Sequence, residues 1–122
     1  GLPTETDEDV QAIVELTRQV KQVGKAAKGR PPNIRVSVST FVPKSHTAYQ
    51  WSPQDSQETI IHKQRILQQG MKRAGVHLSW HDPELSLLEA ALSRGDRRLA
   101  EVIHRAWKLG CRFDAVGNQR FG

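Results

Sequence analysis

The sequence predicts a mixed α/β fold with two strands and four helices in the order α–β–α–β–α–α. Two short segments alternate apolar and polar residues, whereas four longer segments repeat apolar residues at helical spacing. Because one helix lies between the two strands, the order favours a parallel strand pair. Two strands form a thin sheet, and parallel sheets usually contain more strands than this.

The first helix and the first strand have recognisable boundaries. Thr6 is a suitable N-cap, and the acidic residues that follow it favour the positive end of a helix dipole. Apolar residues then recur at helical spacing as far as Val23, and we expect Gly24 to end the helix. The first strand is predicted over residues 34–42, where valines alternate with polar residues between two prolines.

The second half repeats these signals. Ser52, followed by proline, predicts the start of a helix that continues to Gly75. Residues 76–80 alternate again and predict the second strand. Asp82 is the expected cap of the third helix, and Asp96 is the expected start of the fourth. The tail "CRFDAVGNQRFG" has no clear period, so we expect it to be irregular.

Composition narrows the class of protein. The 122 residues fit one domain, and the net charge of +5 permits contact with nucleic acid without requiring it. Cys111 is the single cysteine, which excludes an internal disulfide or a cysteine-ligated cluster within this chain and favours a reducing, cytoplasmic setting. Apolar runs long enough for a membrane span and a signal peptide are both absent, so we expect no membrane partner.

Three groups of residues raise the question of a binding site. The opening "GLPTET" resembles a turn that presents helix N–H groups to an anion, but the acidic first turn opposes a phosphate. Ser37 and Ser39 place hydroxyls on one strand face, which is either a ligand-binding face or a solvated one. His77 and His81 stand too far apart along a strand to favour a metal site, and we predict none.

Several segments together resemble one known family. "GLPTETDEDV" is similar to the glycine–proline turn and acidic helix start in the later half of the radical SAM barrel. "VSVSTFVPKSHTAYQW", "HLSWHDPELSLLEAALSRGDRRL" and "AWKLGCRFDAV" resemble, in the same order, bacterial radical SAM proteins that carry an N-terminal cobalamin-binding-like domain. The resemblance covers essentially the whole chain. It implies that residues 1–51 are a late part of the barrel and residues 52–122 a C-terminal extension, in one folded unit.

The resemblance also implies an activity for a longer parent protein. Such a parent would hold a [4Fe–4S] cluster on a CxxxCxxC loop and cleave S-adenosylmethionine reductively to a 5′-deoxyadenosyl radical. Whether cobalamin is used is left open. This sequence contains no CxxxCxxC, so we expect the chain alone to bind no cluster and to be catalytically inert. We accordingly interpret the chain as a C-terminal portion of the parent that begins just after a barrel strand.

The resemblance places candidate cofactor-pocket residues in the opening turn, on the first strand and beyond its C-terminal end, where barrel sites gather. These candidates are Gly1, Leu2, Pro3, Ser37, Ser39, Phe41, Lys44 and His46.

The expected partners follow from the same two interpretations. A barrel portion would pack against the rest of its parent chain and would self-associate through an exposed apolar edge when isolated. The alternative interpretation is a small basic binding module that contacts RNA or another protein. Salt-dependent binding to RNA would favour the second interpretation. A substrate-RNA role would join the two interpretations, since some enzymes similar to this family modify tRNA.

Overall fold

The computed structural model describes residues 1–111 and has the predicted element order. The elements are α1 (Asp7–Lys28), β1 (Arg35–Val38), α2 (Gln57–Ala74), β2 (His77–Trp80), α3 (Pro83–Arg94) and α4 (Leu99–Lys108). The two strands are parallel and α2 connects them, which confirms the predicted mixed α/β class and the parallel pairing. The prediction of an irregular tail beyond Cys111 lies outside the described residues.

The two-stranded sheet has one covered face and one exposed face. In the register of the pair, Val36 lies opposite Leu78 and Ser37 lies opposite Ser79. The valines of β1 and Leu78 pack against the core, whereas Ser37 and Ser79 are exposed. The alternation of apolar and polar residues that predicted the strands therefore separates the two faces of the sheet.

The core forms where α1 packs against α2 and both cover the sheet. Val10, Val14, Leu67 and Met71 are buried together at this contact. Gly70 lies at the closest approach of the two helices, because a Cβ atom there would stand 2.5 Å from a methyl carbon of Val14. The absence of a side chain at Gly70 therefore allows the helices to pack this closely.

The predicted end of α1 is wrong. The helix continues through Gly24 to Lys28 and ends at Gly29, whose φ of 67° is the left-handed cap conformation. Gly24 has a packing role instead, since a Cβ atom there would stand 2.7 Å from a ring carbon of Pro32. The glycine lets the chain after α1 fold back against the helix.

Other boundaries also differ from the sequence predictions. β1 ends at Val38 rather than at residue 42, because its partner β2 ends opposite at Trp80 and residues 39–42 have no strand beside them within residues 1–111. Helix α2 begins at Gln57, with Ser56 as its N-cap rather than Ser52. β2 and α4 begin at His77 and Leu99, respectively one and three residues after their predicted starts.

The segment between β1 and α2 is attached to α3. Lys44 forms an ion pair with Glu89 at 2.8 Å, and the Ser45 hydroxyl donates to the carbonyl of Ser93 at 3.2 Å. The Arg94 guanidinium donates to the carbonyls of Gln50 and Ser52. α3 begins as predicted at an Asp82 cap, whose carboxylate accepts from the amide of Glu84.

Within residues 1–111, none of the helices is both long and apolar enough to cross a membrane.

Candidate functional site

The opening turn closes just before α1. The amide of Glu5 donates to the carbonyl of Leu2 at 3.0 Å, with Pro3 and Thr4 between them. Thr4 has a φ of 77°, which a β-branched residue rarely adopts because its side chain crowds the backbone. Thr6 then starts the helix with a reciprocal cap: its hydroxyl accepts from the amide of Asp9, and the Asp9 carboxylate accepts from the amide of Thr6. The surrounding structure therefore holds a strained turn in a defined position.

An ion-pair cluster holds this turn against α2. The Lys63 ammonium lies 2.9 Å from Glu5 and 2.7 Å from Asp55. All three side chains are largely withdrawn from solvent, with exposed fractions of 12% for Lys63, 16% for Glu5 and 26% for Asp55. Lys63 therefore joins the turn, the segment before α2 and α2 itself.

The cluster shifts the ionisation of Glu5 and Lys63 toward their charged forms. Burial raises the pKa of Glu5, whereas the hydrogen bond and the positive charge of Lys63 lower it, and this pKa lies below its ordinary value. Burial lowers the pKa of Lys63, but hydrogen bonds to Asp55 and Glu5 outweigh it, so the pKa of Lys63 is raised. Both groups are charged at neutral pH, so the ion pair between Glu5 and Lys63 is maintained.

A cavity of about 420 Å³ lies beside this cluster, at the C-terminal ends of β1 and β2. Val38 and Trp80, the last residues of the two strands, both line it. Its walls are mostly apolar, and Ser39, Thr40 and Gln64 add polar groups. The three charged residues of the cluster, Glu5, Asp55 and Lys63, also line it. An apolar cavity with a few polar groups at the carboxyl ends of parallel strands is the usual setting for a small ligand.

The structure brings together half of the residues that sequence reasoning placed in a pocket. Gly1, Leu2, Ser39 and Phe41 line this cavity. The remaining candidates lie outside its lining: Pro3 is in the turn, Ser37 is on the exposed sheet face, Lys44 pairs with Glu89, and His46 is exposed in the loop after β1. His46 has a φ of 64°, and its amide donates to the side chain of Gln50.

Sequence reasoning missed the cluster around Lys63. None of Glu5, Asp55 and Lys63 was among the predicted pocket residues. One signal was present in the sequence, because Ile60, Lys63 and Leu67 share one face of α2. A cation within an apolar stripe requires an anionic partner when it is withdrawn from water.

A second cavity, of about 660 Å³, lies along α3. None of the eight predicted pocket residues lines it. Its acidic residues already have local partners, since Asp82 caps α3 and Glu89 pairs with Lys44. Among residues 1–111, no group of three or more histidine, cysteine, aspartate or glutamate side chains is arranged to hold a metal ion. The cavity at the strand ends is therefore the better candidate site.

The fold and site define a mixed α/β protein with a ligand-sized cavity at the carboxyl ends of a parallel strand pair. No family model matches the chain, and no solved structure shows significant similarity to it. The chain is 27% identical over 105 residues to an uncharacterized protein of Methanocaldococcus jannaschii. That alignment covers 84% of this chain and 21% of the relative, so the chain spans about a fifth of the relative's length.

Proposed function

We propose that this chain is the late part of a radical SAM barrel together with its C-terminal extension, and that it forms one wall of the pocket for S-adenosylmethionine and substrate. The proposal rests on the motifs that resemble this family, from the opening turn to the segment around Trp107. It is also consistent with the strand–helix–strand unit, which is the repeating unit of such barrels.

One observation carries the proposal. The opening turn and the C-terminal ends of both strands meet around the same cavity. Barrel enzymes build their sites at this end of their strands, so the turn and the two strands occupy corresponding positions.

The residues of this chain would bind and shield a ligand. Leu2, Phe41 and Trp80 supply apolar surface that excludes water, and the Ser39 and Thr40 hydroxyls offer hydrogen bonds. The pairing of Lys63 with Glu5 and Asp55 fixes the opening turn relative to α2. In this proposal the residues of the chain bind and position the ligand. None of them forms a covalent bond to it or transfers an electron.

The residues of this chain do not fit an iron–sulfur cluster. Cys111 is the only cysteine, whereas the family motif supplies three cysteine ligands. A cluster would therefore be held by another part of the parent, and the chain alone is expected to be inert. Reduced cluster chemistry requires a reducing compartment, so the proposal places the parent in the cytoplasm. The partner of this chain would be the remainder of that parent.

The reading frame that contains this chain provides the first test. A CxxxCxxC motif upstream of Gly1 is expected, and its absence would overturn the proposal. The full-length protein, reconstituted anaerobically with iron and sulfide and reduced with dithionite, should cleave S-adenosylmethionine to methionine and 5′-deoxyadenosine, whereas the 122-residue chain should not. Replacement of the three motif cysteines by alanine is the matched control and should abolish the product.

A further inference from the structure

The end of the molecule opposite the cavity is strongly basic. Helices α1 and α2 run side by side in the same direction, because Asp7 lies 2.9 Å from His62 near their starts and the Lys21 ammonium donates to the carbonyl of Ala74 at 2.5 Å near their ends. Both helix C-termini therefore lie at the end where β1 begins. Six cationic residues, here called the basic end, belong to this region: Lys25, Lys28, Arg30, Arg35, Lys72 and Arg73.

Acidic residues are missing from the chain around the basic end. Residues 16–54 and residues 59–81 contain no aspartate or glutamate. All six side chains are exposed, and within residues 1–111 none of them forms an ion pair. The acidic residues of α1 and α2 lie instead in the first half of each helix. Charge is thus segregated along the helix axes.

Helix capping explains only part of this arrangement. Lys25, Lys28, Lys72 and Arg73 lie in the last turns of helices, where cations favour the helix dipole. Arg30 follows the cap of α1, and Arg35 begins β1, so neither is placed by a helix end. Lys28 and Arg30 also border a concave surface of about 450 Å³ with Pro32, which packs against Gly24. The cations are therefore displayed on a defined surface.

We propose that the basic end binds the phosphate backbone of a nucleic acid. Its cations are spread over α1, the segment after α1, β1 and α2, and they do not converge on one buried anion. An extended polyanion matches such a distribution, because each cation neutralises a separate phosphate and releases counterions. The surface lies away from the cavity, so this binding does not depend on the function proposed for the cavity.

Fluorescence anisotropy on the 122-residue chain tests the proposal. The probes are a single-stranded RNA, DNA of the same sequence, and polyglutamate as a polyanion without phosphates, each measured across a salt series. The test variant carries Lys28→Gln, Arg30→Gln and Arg35→Gln. The control variant carries Arg97→Gln, Arg105→Gln and Lys108→Gln, which removes the same charge from exposed positions around α4. Circular dichroism checks that both variants keep their helices.

The expected result is salt-dependent binding to nucleic acid that the test variant weakens by about tenfold or more, with a salt slope lower by about 2. The control variant should change the affinity much less. Tighter binding to RNA than to DNA would assign a role to the 2′-hydroxyl, whereas equal binding would identify the backbone alone. Equal losses in the two variants, equal affinity for polyglutamate, or no binding at low salt would overturn the proposal.

Discussion

At the scale of single residues, Lys63 connects three segments that surround the candidate site. It binds two carboxylates that come from different segments, the opening turn and the region before α2. An ion pair at a fully exposed position contributes little to stability, but these side chains are mostly withdrawn from solvent. Loss of the cation would therefore leave two poorly solvated anions close together.

Lys63→Met should lower the free energy of unfolding by about 1–3 kcal/mol, because Glu5 and Asp55 lose their hydrogen-bond donor. Urea denaturation followed by circular dichroism measures this loss. Arg65→Met is the matched control in the same helix, since Arg65 is exposed and has no ion pair among residues 1–111. It should stay within about 0.5 kcal/mol of the unchanged protein. Equal effects of the two variants would show that the cluster contributes nothing.

The cluster also predicts a pH dependence. The pKa of Glu5 is lowered in the folded chain, so its contribution to stability is complete above its ordinary pKa of 4.5 and is lost as pH falls through the folded value. The stability gap between the unchanged protein and Glu5→Gln should be widest near neutral pH and should shrink in acid. Thermal unfolding across this range measures the gap.

Glu8→Gln removes an exposed carboxylate that forms no ion pair within the described part of the chain. It is the control for the loss of charge near the start of α1, and we expect a smaller gap at neutral pH. A Glu5→Gln gap that stayed constant from neutral pH into acid would contradict the assignment of Glu5 to the cluster.

At the scale of elements, α1 has two apolar faces. Val10 and Val14 are buried against α2, whereas Leu16, Val20 and Val23 form a second, exposed stripe. A helix of an isolated α/β unit needs only the first face. The second face is consistent with further packing partners, which a late barrel portion would find in its parent and an isolated chain would replace by self-association.

Gly70 determines how closely α1 and α2 pack. Gly70→Ala should lower the free energy of unfolding by about 1–2 kcal/mol, because the clash with Val14 exceeds the gain in helix propensity. Chemical denaturation measures the effect. Gln69→Ala, at an exposed position of the same helix, is the control and should change stability by less than about 0.5 kcal/mol. A stabilised Gly70→Ala variant would contradict the close contact.

The sequence predicted element type and order better than element ends. Alternation in β1 and helical periodicity in α2 were sufficient to identify these elements, because the two faces of each element differ in polarity. The end of α1 was predicted wrongly at Gly24, because a glycine that permits packing against Pro32 looks the same in sequence as one that ends a helix. Residues 39–42 were wrongly included in β1, because the length of a strand depends on its partner and β2 ends at Trp80.

The candidate site was predicted in part for a similar reason. Ser39 and Phe41 could be placed because residues at the C-terminal end of a strand share one edge of the sheet. Lys63 could not be placed, because its partners Glu5 and Asp55 are identified only by the folding of three segments together. Lys44 and His46 lie outside the site because the loop after β1 is attached to α3.

At the scale of the whole molecule, two different surfaces occupy opposite ends. The strand C-termini and the opening turn surround the cavity, whereas the basic end lies around the C-termini of α1 and α2 and the start of β1. The central claim concerns the first surface. It is that the residues lining the cavity form one wall of the S-adenosylmethionine pocket. A bulky side chain placed in the cavity should therefore block binding of this ligand by the full-length protein.

The most direct measurement is equilibrium dialysis of labelled S-adenosylmethionine against the full-length protein carrying Ser39→Phe. The control is Ala27→Phe, which adds the same ring at an exposed position near the end of α1, away from the cavity. We predict that Ser39→Phe weakens binding by at least about tenfold while Ala27→Phe leaves it unchanged. Equal and undiminished binding by both variants, with circular dichroism unchanged, would contradict the account.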